Sequence, residues 1–518
     1  MFPLPVLTSE QARLWDREAD LAGLPLAALM ESAGRGIAAV VAARFPAALR
    51  QGTLVAVGPG NNGGDGWVVA RALEAAGLPV WVTSSGGTAS ALNTLEAGLA
   101  RAAGVREVEP DGPWPAVGLL VDAILGTGAS GTLRPNVAAL VARLAELELP
   151  VVAVDGPTGL DLDTGVSRSG LRADLTVTFG GYRRGHLLAR DDVGDLAVID
   201  IGFGPPLEAW PRLLTEREAA RAVPPLAADA HKGARGRVVI VGGDVGMTGA
   251  ARLAARAAFA AGAGLVHVVA PEPSVAVLAA AEPDLQTCLS SFDDLSDAAR
   301  SLLERADAVV IGPGLGRGPG RAAFVAEVVG ATAAPLVIDA DGLMAFAGGA
   351  DGLAALAAGR TVVATPHAGE FRALLPGMAA DLGVDPWSAA AVAAGQLGVI
   401  LLLKGVPTVV AGPTGGGVVT VAAGNPGLAT GGSGDTLAGT IGAWLGQGVE
   451  AGLAAAAAAQ ALGSAADHAA RRATARAVRP MDVVAALPEV WRRWAQIRRD
   501  PVPPPLPIIH QLPAPIRT

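Results

Sequence analysis

Leu54-Val55-Ala56-Val57 runs into Gly58-Pro59-Gly60-Asn61-Asn62-Gly63-Gly64-Asp65-Gly66, and an apolar segment over 67–76 follows. A β-branched run, a glycine turn and a helix-length stretch form one strand–loop–helix unit, whose glycines let backbone N–H groups approach an anion at the helix start. Gly58, Gly60 and Gly63 satisfy the dinucleotide spacing G-x-G-x-x-G. A Rossmann dehydrogenase also needs an acid at the end of the next strand for the ribose, and 75–95 holds neither Asp nor Glu, which disfavours ordinary hydride transfer. Two Asn and an Asp inside the loop supply side-chain oxygens that a turn alone does not need.

The same alternation continues outward. Candidate strands fall at 54–58, 80–84, 118–122, 151–155 and 175–179, then at 237–241, 265–270, 308–311, 335–338, 361–364 and 399–403, with Ala/Leu/Arg stretches between them. This βαβ pattern predicts two tandem three-layer α/β domains around mainly parallel sheets. A Pro-rich, charged interval over 204–226 separates them, with the boundary near Arg212, giving domains over 1–212 and 213–495. A Pro-rich tail over 496–518 lacks periodicity and is expected to be disordered or extended. In an open parallel sheet the carboxyl ends of strands converge on one crevice, so Asn62, Asp122, Asp155 and Thr158 are expected to meet there as a hard, all-oxygen set suited to a cation other than zinc.

At 518 residues, half of them apolar, the chain can bury two sizeable cores. A net charge of -9 without basic runs argues against nucleic acid and for small-molecule work. The lone Cys288 cannot form an internal disulfide and fits a reducing cytoplasm; core packing and a free nucleophile are both open for it. Residues 1–10 lack the pattern of a signal peptide. The apolar stretch 451–470 is mostly Ala, broken by Gln460, Ser464, Asp467 and His468, and is expected to be a buried helix rather than a membrane span. Of 39 basic residues only Lys232 and Lys404 are lysines, which suggests that a compact ammonium was kept at those two glycine motifs.

In the second half, Gly424-Asn425-Pro426-Gly427-Leu428-Ala429-Thr430 leads into Gly431-Gly432-Ser433-Gly434-Asp435 and a helical segment over 436–445. That is a phosphate cradle at a helix N-terminus, with Asp435 placed to take a hydroxyl proton as the oxygen attacks a terminal phosphoryl group. Seven motifs occur in order: His231-Lys232-Gly233, Gly242-Gly243-Asp244 through Gly246-Met247-Thr248-Gly249-Ala250-Ala251, Gly312-Pro313-Gly314-Leu315-Gly316, Asp339-Ala340-Asp341-Gly342-Leu343, Thr365-Pro366-His367-Ala368-Gly369-Glu370-Phe371, Leu403-Lys404-Gly405, and the Gly431–Asp435 loop. Over 214–487 the chain resembles the ribokinase-like superfamily, specifically the ADP/ATP-dependent NAD(P)H-hydrate dehydratases. The resemblance implies nucleotide at Lys404, Gly405, Val406, Pro407, Thr408 and Gly434, hydrated nicotinamide at Ala250, Gly314, Gly316, His367 and Asp435, and Mg²⁺ arriving with ADP. Asp339 and Asp341 either help hold Mg²⁺ through water or cap the following helix, and His367 either contacts substrate or is structural. Met344 stands where the family usually has Asn, and Ala368 where it has Pro.

The N-terminal loop, together with Asp122-Ala123-Ile124-Leu125-Gly126-Thr127-Gly128, Asp155-Gly156-Pro157-Thr158 and Met30-Glu31-Ser32-Ala33-Gly34-Arg35, resembles the NAD(P)H-hydrate epimerase family over 7–211. That resemblance implies K⁺ at Asn62, Asp122 and Thr158, and substrate at Asn61, Asn62, Gly63, Gly64, Asp65, Gly126, Thr127, Gly128, Ala129, Ser130, Gly131, Thr132 and Asp155. Thr158 replaces a usual Ser and keeps its hydroxyl, whereas Arg183 replaces a common Lys and hardly deprotonates. Together the resemblances imply a fused enzyme that epimerises R and S hydrates and dehydrates the S form with ADP, and a homo-oligomer. The alternative is a small-molecule kinase of the ribokinase-like superfamily joined to an N-terminal binding domain that is non-catalytic, the latter point kept open by Arg183.

Overall fold

The strands expected in the first half form at Thr53–Val57, Val80–Ser84, Leu119–Ala123, Val151–Val154 and Leu175–Phe179 in a computed structural model, which describes residues 3–517 except 130, 169, 170, 224, 416 and 501–503. The chain divides into two units, Met1–Trp210 with Pro503–Pro515, and Pro211–Val502 with Ile516–Thr518. The expected two α/β domains are therefore present.

In the first unit the sheet runs in the order Ile508–Leu512, Asp195–Ile199, Leu175–Phe179, Val151–Val154, Leu119–Ala123, Thr53–Val57, Val80–Ser84, Arg106–Glu107, and every pairing but the first is parallel. Val55 and Val57 pack in one apolar cluster and Leu54 and Ala56 in another, so both faces of the strand are covered. That explains the near-continuous apolar runs. Strand order reverses between Thr53–Val57 and Leu119–Ala123, and their carboxyl ends splay there to open a crevice.

The second unit repeats the plan with different strands. Its order is Gln286–Leu289, Leu265–Ala270, Arg237–Val241, Ala308–Ile311, Leu336–Ile338, Val362–Ala364, Ile400–Leu403, Thr408–Ala411, Val419–Val421, Arg212–Leu213. The pairings are parallel as far as Ile400–Leu403, after which Thr408–Ala411 and Val419–Val421 turn antiparallel. The reversal of order lies between Arg237–Val241 and Ala308–Ile311, where Gly243 N donates to Pro313 O (2.9 Å) and Asp244 N to Gly314 O (2.7 Å). Helix Ser433–Gly446 packs on helix Thr248–Ala260, with Gly439 against the Ala254 carbonyl, and Ala451–Arg472 is largely buried, as expected of the Ala-rich stretch. Each fully buried Val, Ile or Leu of these sheets stabilises by roughly 1.5–3 kcal/mol.

Three differences from the sequence reading have physical causes. The glycine loops are not wholly loops: helix Asn61–Ala75 begins at the first Asn, and helix Ser433–Gly446 already contains Ser433 to Asp435. Close packing overrides low helix propensity there, since a Cβ on Gly63 would overlap the Gly58 carbonyl. The region 204–226 is not only a linker, because it holds strand Arg212–Leu213 and helix Glu216–Ala222. The tail over 496–518 is not a separate segment: helix Pro480–Arg499 extends into it, and Ile508–Leu512 pairs antiparallel with Asp195–Ile199 as an edge strand of the first unit. Prolines are tolerated at such an edge, and the apolar residues between them give the strand a face to bury.

Candidate active sites

The first unit's crevice is a cleft of about 630 Å³ lined by Asn61, Asn62, Asp65, Gly126, Thr127 and Asp155 among others. Its rim is set by Gly58, whose N donates to Ala123 O (3.2 Å), and by Asn93, whose Nδ2 donates to the carbonyls of Gly58 (2.9 Å) and Gly60 (2.7 Å). These contacts fix the start of helix Asn61–Ala75 at the cleft, with its positive dipole end available to an anion.

Asp155 sits at the centre with φ of +63°, a left-handed backbone uncommon for a residue with a side chain. Thr127 N (2.7 Å), the Thr127 hydroxyl and Thr178 Oγ1 (3.0 Å) all donate to its carboxylate, and Arg183 Nη2 lies 3.3 Å away. Arg183 also donates from Nε to Thr127 Oγ1 (3.0 Å) and from Nη1 to Gly181 O (3.2 Å). Burial would raise the Asp155 carboxyl, but the Arg183 charge and the Thr127 hydrogen bonds hold it below its ordinary value. His186 ties the two together: its Nδ1 accepts from Arg183 N (3.0 Å) and its Nε2 lies 2.6 Å from Asp155 O. That network assigns the neutral Nε2–H tautomer, and burial lowers His186 to about 4. Asp65, fully enclosed nearby, is raised well above the carboxylate range by burial and then by Asp155, Asp16 and Glu96. The cleft thus offers one ionised carboxylate beside carboxyls biased toward protonation, an arrangement suited to moving a proton.

Beneath the cleft, Thr158 Oγ1 and N both donate to Asp122 (2.7 Å each) and Leu125 N donates to Thr158 Oγ1 (3.0 Å). Burial pushes Asp122 up to about 6 against these hydrogen bonds. A Cβ on Gly126 would meet Asn62 Oδ1 at 2.6 Å and Asp155 Oδ2 at 3.2 Å, so Asn62 reaches across to the same loop.

In the second unit Lys404 Nζ donates to Asp339 Oδ1 (2.8 Å) and lies 3.5 Å from Glu370 Oε2. Lys404 stands directly after strand Ile400–Leu403, and its N donates to Pro366 O (2.9 Å), which sets it beside His367. A Cβ on Gly434 would meet Lys404 Nζ at 3.2 Å and Asp339 Oδ2 at 3.5 Å, so the first turn of helix Ser433–Gly446 faces this ion pair. Burial, then the charge of Asp339, push Asp435 up to about 7, with Lys404 opposing and Asp341 and Glu370 adding. Across the crevice Gly316 N donates to Asp341 Oδ2 (3.0 Å), and a Cβ on Gly314 would meet the Ala250 Cβ at 3.2 Å. The arrangement combines a helix N-terminus, a partly buried ammonium and an acid poised near neutrality, which are the parts phosphoryl transfer needs.

Comparison with known proteins agrees with both halves. A family model described as NAD(P)H-hydrate dehydratase matches residues 238–489, and one described as YjeF-related protein N-terminus matches residues 26–185. The bifunctional NAD(P)H-hydrate repair enzyme of Salinibacter ruber is 38% identical over 86% of this chain and 88% of its own length. That of Escherichia coli is 36% identical over 86% of each. The chain belongs to the family of bifunctional NAD(P)H-hydrate repair enzymes. An ADP/ATP-dependent NAD(P)H-hydrate dehydratase from Bacillus subtilis, co-crystallised with ATP/Mg²⁺, is 27% identical, with a TM-score of 0.47 over 54% of this chain and 97% of that one.

Within this repair-enzyme framework the residues singled out from sequence fall into clear positions. Asn61, Asn62, Asp65, Gly126, Thr127, Gly128, Ala129, Gly131, Thr132 and Asp155 all line the first cleft, and Ser130 lies outside the described residues. Gly63 and Gly64 lie under it, packed on the Gly58 carbonyl and on Met30. In the second unit Lys404, Gly434 and Asp435 are brought together, as are Ala250, Gly314 and Gly316. Gly405, Val406 and Pro407 form the turn to strand Thr408–Ala411, and the Val406 side chain is exposed. His367 Nδ1 caps helix Ala368–Leu374 by accepting from Gly369 N (2.9 Å) and Glu370 N (3.3 Å), so it has a structural duty whatever its exposed Nε2 contacts. Asp339 pairs with Lys404, and Asp341 opens helix Asp341–Met344. Of the two lysines, Lys404 is partly buried in the site while Lys232 is exposed.

Sequence reasoning passed over Glu370, His186, Thr178 and Asp16. Glu370 stands inside one of the motifs and His186 three residues after Arg183, but their roles depend on partners far away in the chain. Asp16, on helix Ser9–Leu21, gave no local signal at all, yet it lines the cleft and is raised by burial, with Asp155 adding and Arg183 opposing.

The residues fit the metals the resemblance implies. Asp122 is buried without a cationic partner among the described residues, so the oxygen set of Asn62, Asp122 and Thr158 suits a monovalent cation. In the second site Asp339, Asp341, Glu370 and Asp435 outnumber Lys404 and the Arg317 paired with Asp341, an excess that a divalent cation would offset. No three acidic, His or Cys side chains among the described residues converge as metal ligands.

Proposed function

We propose that the chain restores hydrated nicotinamide cofactor at two centres. The first unit interconverts R and S NAD(P)H hydrate, and the second dehydrates the S form with ADP and Mg²⁺. The observation that carries this reading is the placement of Asp435 beside Lys404, Asp339 and Gly434, because it supplies a base within a nucleotide-phosphate cradle.

In the second unit Asp435 takes the proton of the substrate hydroxyl, and that oxygen forms a bond to the terminal phosphorus of ADP as the bond to the bridging oxygen breaks and AMP leaves. Phosphate then departs with the C–O electron pair, and loss of a proton from the neighbouring ring carbon restores the double bond of NAD(P)H. Lys404 offsets charge on the transferred phosphoryl group, and the N–H groups at the start of helix Ser433–Gly446 hold its oxygens. Mg²⁺ supplies further charge neutralisation when bound.

In the first unit, inversion at the hydroxyl-bearing carbon requires its C–O bond to break and re-form on the other face. Asp65, biased toward its protonated form, gives the proton with which the hydroxyl leaves as water, the ring nitrogen supplying electrons to the carbon. Ionised Asp155 takes the proton of the water that adds to the other face, and that proton returns to Asp65 through solvent. Arg183 orients Asp155 rather than donating a proton itself. K⁺ at Asn62, Asp122 and Thr158 would anchor the loop that carries Gly126 and Thr127. A cytoplasmic location is supported by the unpaired Cys288, and a homo-oligomer by the family resemblance.

The test is incubation of separated R and S hydrates with ADP or ATP while NAD(P)H absorbance is followed. Recovery from S alone in the isolated second activity, and from both epimers with the whole chain, is expected. Accumulation of a stable phosphorylated product without NAD(P)H would overturn the reading.

A further inference from the structure

The C-terminal segment lies outside both matched family ranges, yet it contributes a half-buried side chain, His510, that meets the strand carrying Arg183. Strand Ile508–Leu512 runs antiparallel to Asp195–Ile199, pairing Ile508 with Ile199, His510 with Val198, Gln511 with Ala197 and Leu512 with Leu196. Between Ile508 and His510 the register slips by one residue. Ile199 and Val198 point to opposite faces, so this bulge turns His510 to the face opposite Ile508. Ile508 joins the apolar cluster containing Ile37 and Ile199, while the His510 Nδ1 reaches the hydroxyl of Tyr182 at 2.6 Å, with the rings edge-on at 86°.

Tyr182 is sealed from solvent, and its neighbour in the two-residue strand is Arg183. Alternation along a strand sends these side chains to opposite sides, so Tyr182 is the anchor on one side and Arg183 the arm that reaches Asp155 and Thr127 on the other. Burial lowers His510 to about 4, so its ring is neutral at ordinary pH and Nδ1 accepts from the tyrosine hydroxyl. Around this contact the Arg190 guanidinium donates to the Pro513 carbonyl, Asp200 N donates to Pro507 O (2.9 Å), Ala514 N donates to Asp195 Oδ1 (2.8 Å) and Arg44 donates to Gln511 Oε1 (3.1 Å). The segment is therefore held by its backbone and by side chains at several points along its length.

We propose that His510 is a positioning residue for the N-terminal site: by accepting from Tyr182 it holds the Tyr182–Arg183 strand, and with it the guanidinium that orients Asp155. Strand Ile508–Leu512, which follows helix Pro480–Arg499 of the second unit in sequence, thereby supports the site of the first. This rests on the reading of that site as the epimerase centre.

The test uses the full-length chain, because a fragment ending near residue 212 would lack its edge strand and expose Asp195–Ile199 to aggregation. His510→Phe keeps an aromatic ring without the acceptor, Tyr182→Phe removes the donor, and His510→Gln keeps an acceptor. Both Phe variants are expected to lower epimerase kcat about tenfold or more, with KM changed less than about twofold, because misplacing a catalytic group acts on the transition state. The double variant should lose no more than either single one, His510→Gln should recover most of the activity, and dehydratase turnover should be unchanged in all. Hydrogen exchange over 180–188 should quicken in both Phe variants, and this is read whether or not the wild-type chain epimerises. Absence of epimerase activity in the wild type would sink the functional reading alone. Unchanged kcat and unchanged exchange in Tyr182→Phe would overturn the proposal, as would losses that merely follow the fraction of unfolded protein.

Discussion

Arg183 and Asp155 face each other across 3.3 Å with side chains 6% and 5% exposed, and the left-handed backbone of Asp155 is held to that of Arg183 through His186. Removing one member of a buried pair leaves the other uncompensated, at a cost of roughly 3–5 kcal/mol. Arg183→Ala is therefore expected to melt the first unit well below the wild type and to stop epimerisation. Arg183→Lys keeps the charge but loses the fork that reaches Thr127 and Gly181 together, and should retain epimerase activity within about tenfold. The sign of the pH effect follows from Asp155, whose folded value lies below its unfolded one. Its stabilisation is complete above the unfolded value of about 4 and is lost as pH falls through the lower folded value, so the stability gap to Arg183→Ala should close in acid. Calorimetry across pH and epimer interconversion rates check both parts.

Asp435 titrates where it works. As a base it must be ionised, and its value is pushed up to about 7, so kcat/KM for dehydration should rise with pH and level off above a midpoint near neutrality. Asp435→Asn should cut kcat about 10²–10⁴-fold while ADP still binds by calorimetry. Lys404→Gln removes the charge that opposes the upward shift, so its residual activity should show a higher midpoint. An unmoved profile in that variant would detach Lys404 from the base.

The buried Asp122 carboxylate should make the epimerase respond to K⁺. At constant ionic strength, replacing KCl by LiCl is expected to slow epimerisation severalfold and leave dehydration on its own profile. Asp122→Asn should be slow in both salts, because the anionic ligand is gone; its one amide oxygen can keep the hydrogen bonds from Thr158 Oγ1 and Ile124 N, whereas Thr158 N loses its acceptor. Equal rates for wild type in KCl and LiCl would remove the cation from that site.

The sequence was most legible where both faces of a strand are buried. Every one of the eleven strands expected from apolar runs forms within one residue at each end, because β-branched continuity is a local signal. The strands at Thr408–Ala411, Val419–Val421 and Ile508–Leu512 escaped notice because they are short and closely flanked by glycine or proline. The sites follow the same rule. Asp435, Lys404 and Asp155 stand in motifs whose spacing declares the chemistry. Glu370 on Lys404, Asp16 on the cleft and His510 behind Tyr182 are relationships across 34 to 328 positions or across separate elements, and no local pattern encodes them.

One glycine couples packing to catalysis. A Cβ on Gly439 would overlap the Ala254 carbonyl, so Gly439→Ala must push helix Ser433–Gly446 away from helix Thr248–Ala260. The expected cost is roughly 1–3 kcal/mol for overpacking. Because Gly434 and Asp435 form the first turn of the displaced helix, dehydratase kcat should fall about tenfold or more in folded protein, a shift of about an ångström being enough for such a loss. Gly395→Ala is the control: it too is helical and in the second unit, but its Cβ would meet only the Pro413 carbonyl at 3.8 Å, so it should gain about 0.5–1 kcal/mol and keep full activity. Epimerase rates should be unchanged in both. If Gly439→Ala melts like the wild type, the two helices do not meet as closely as this contact requires.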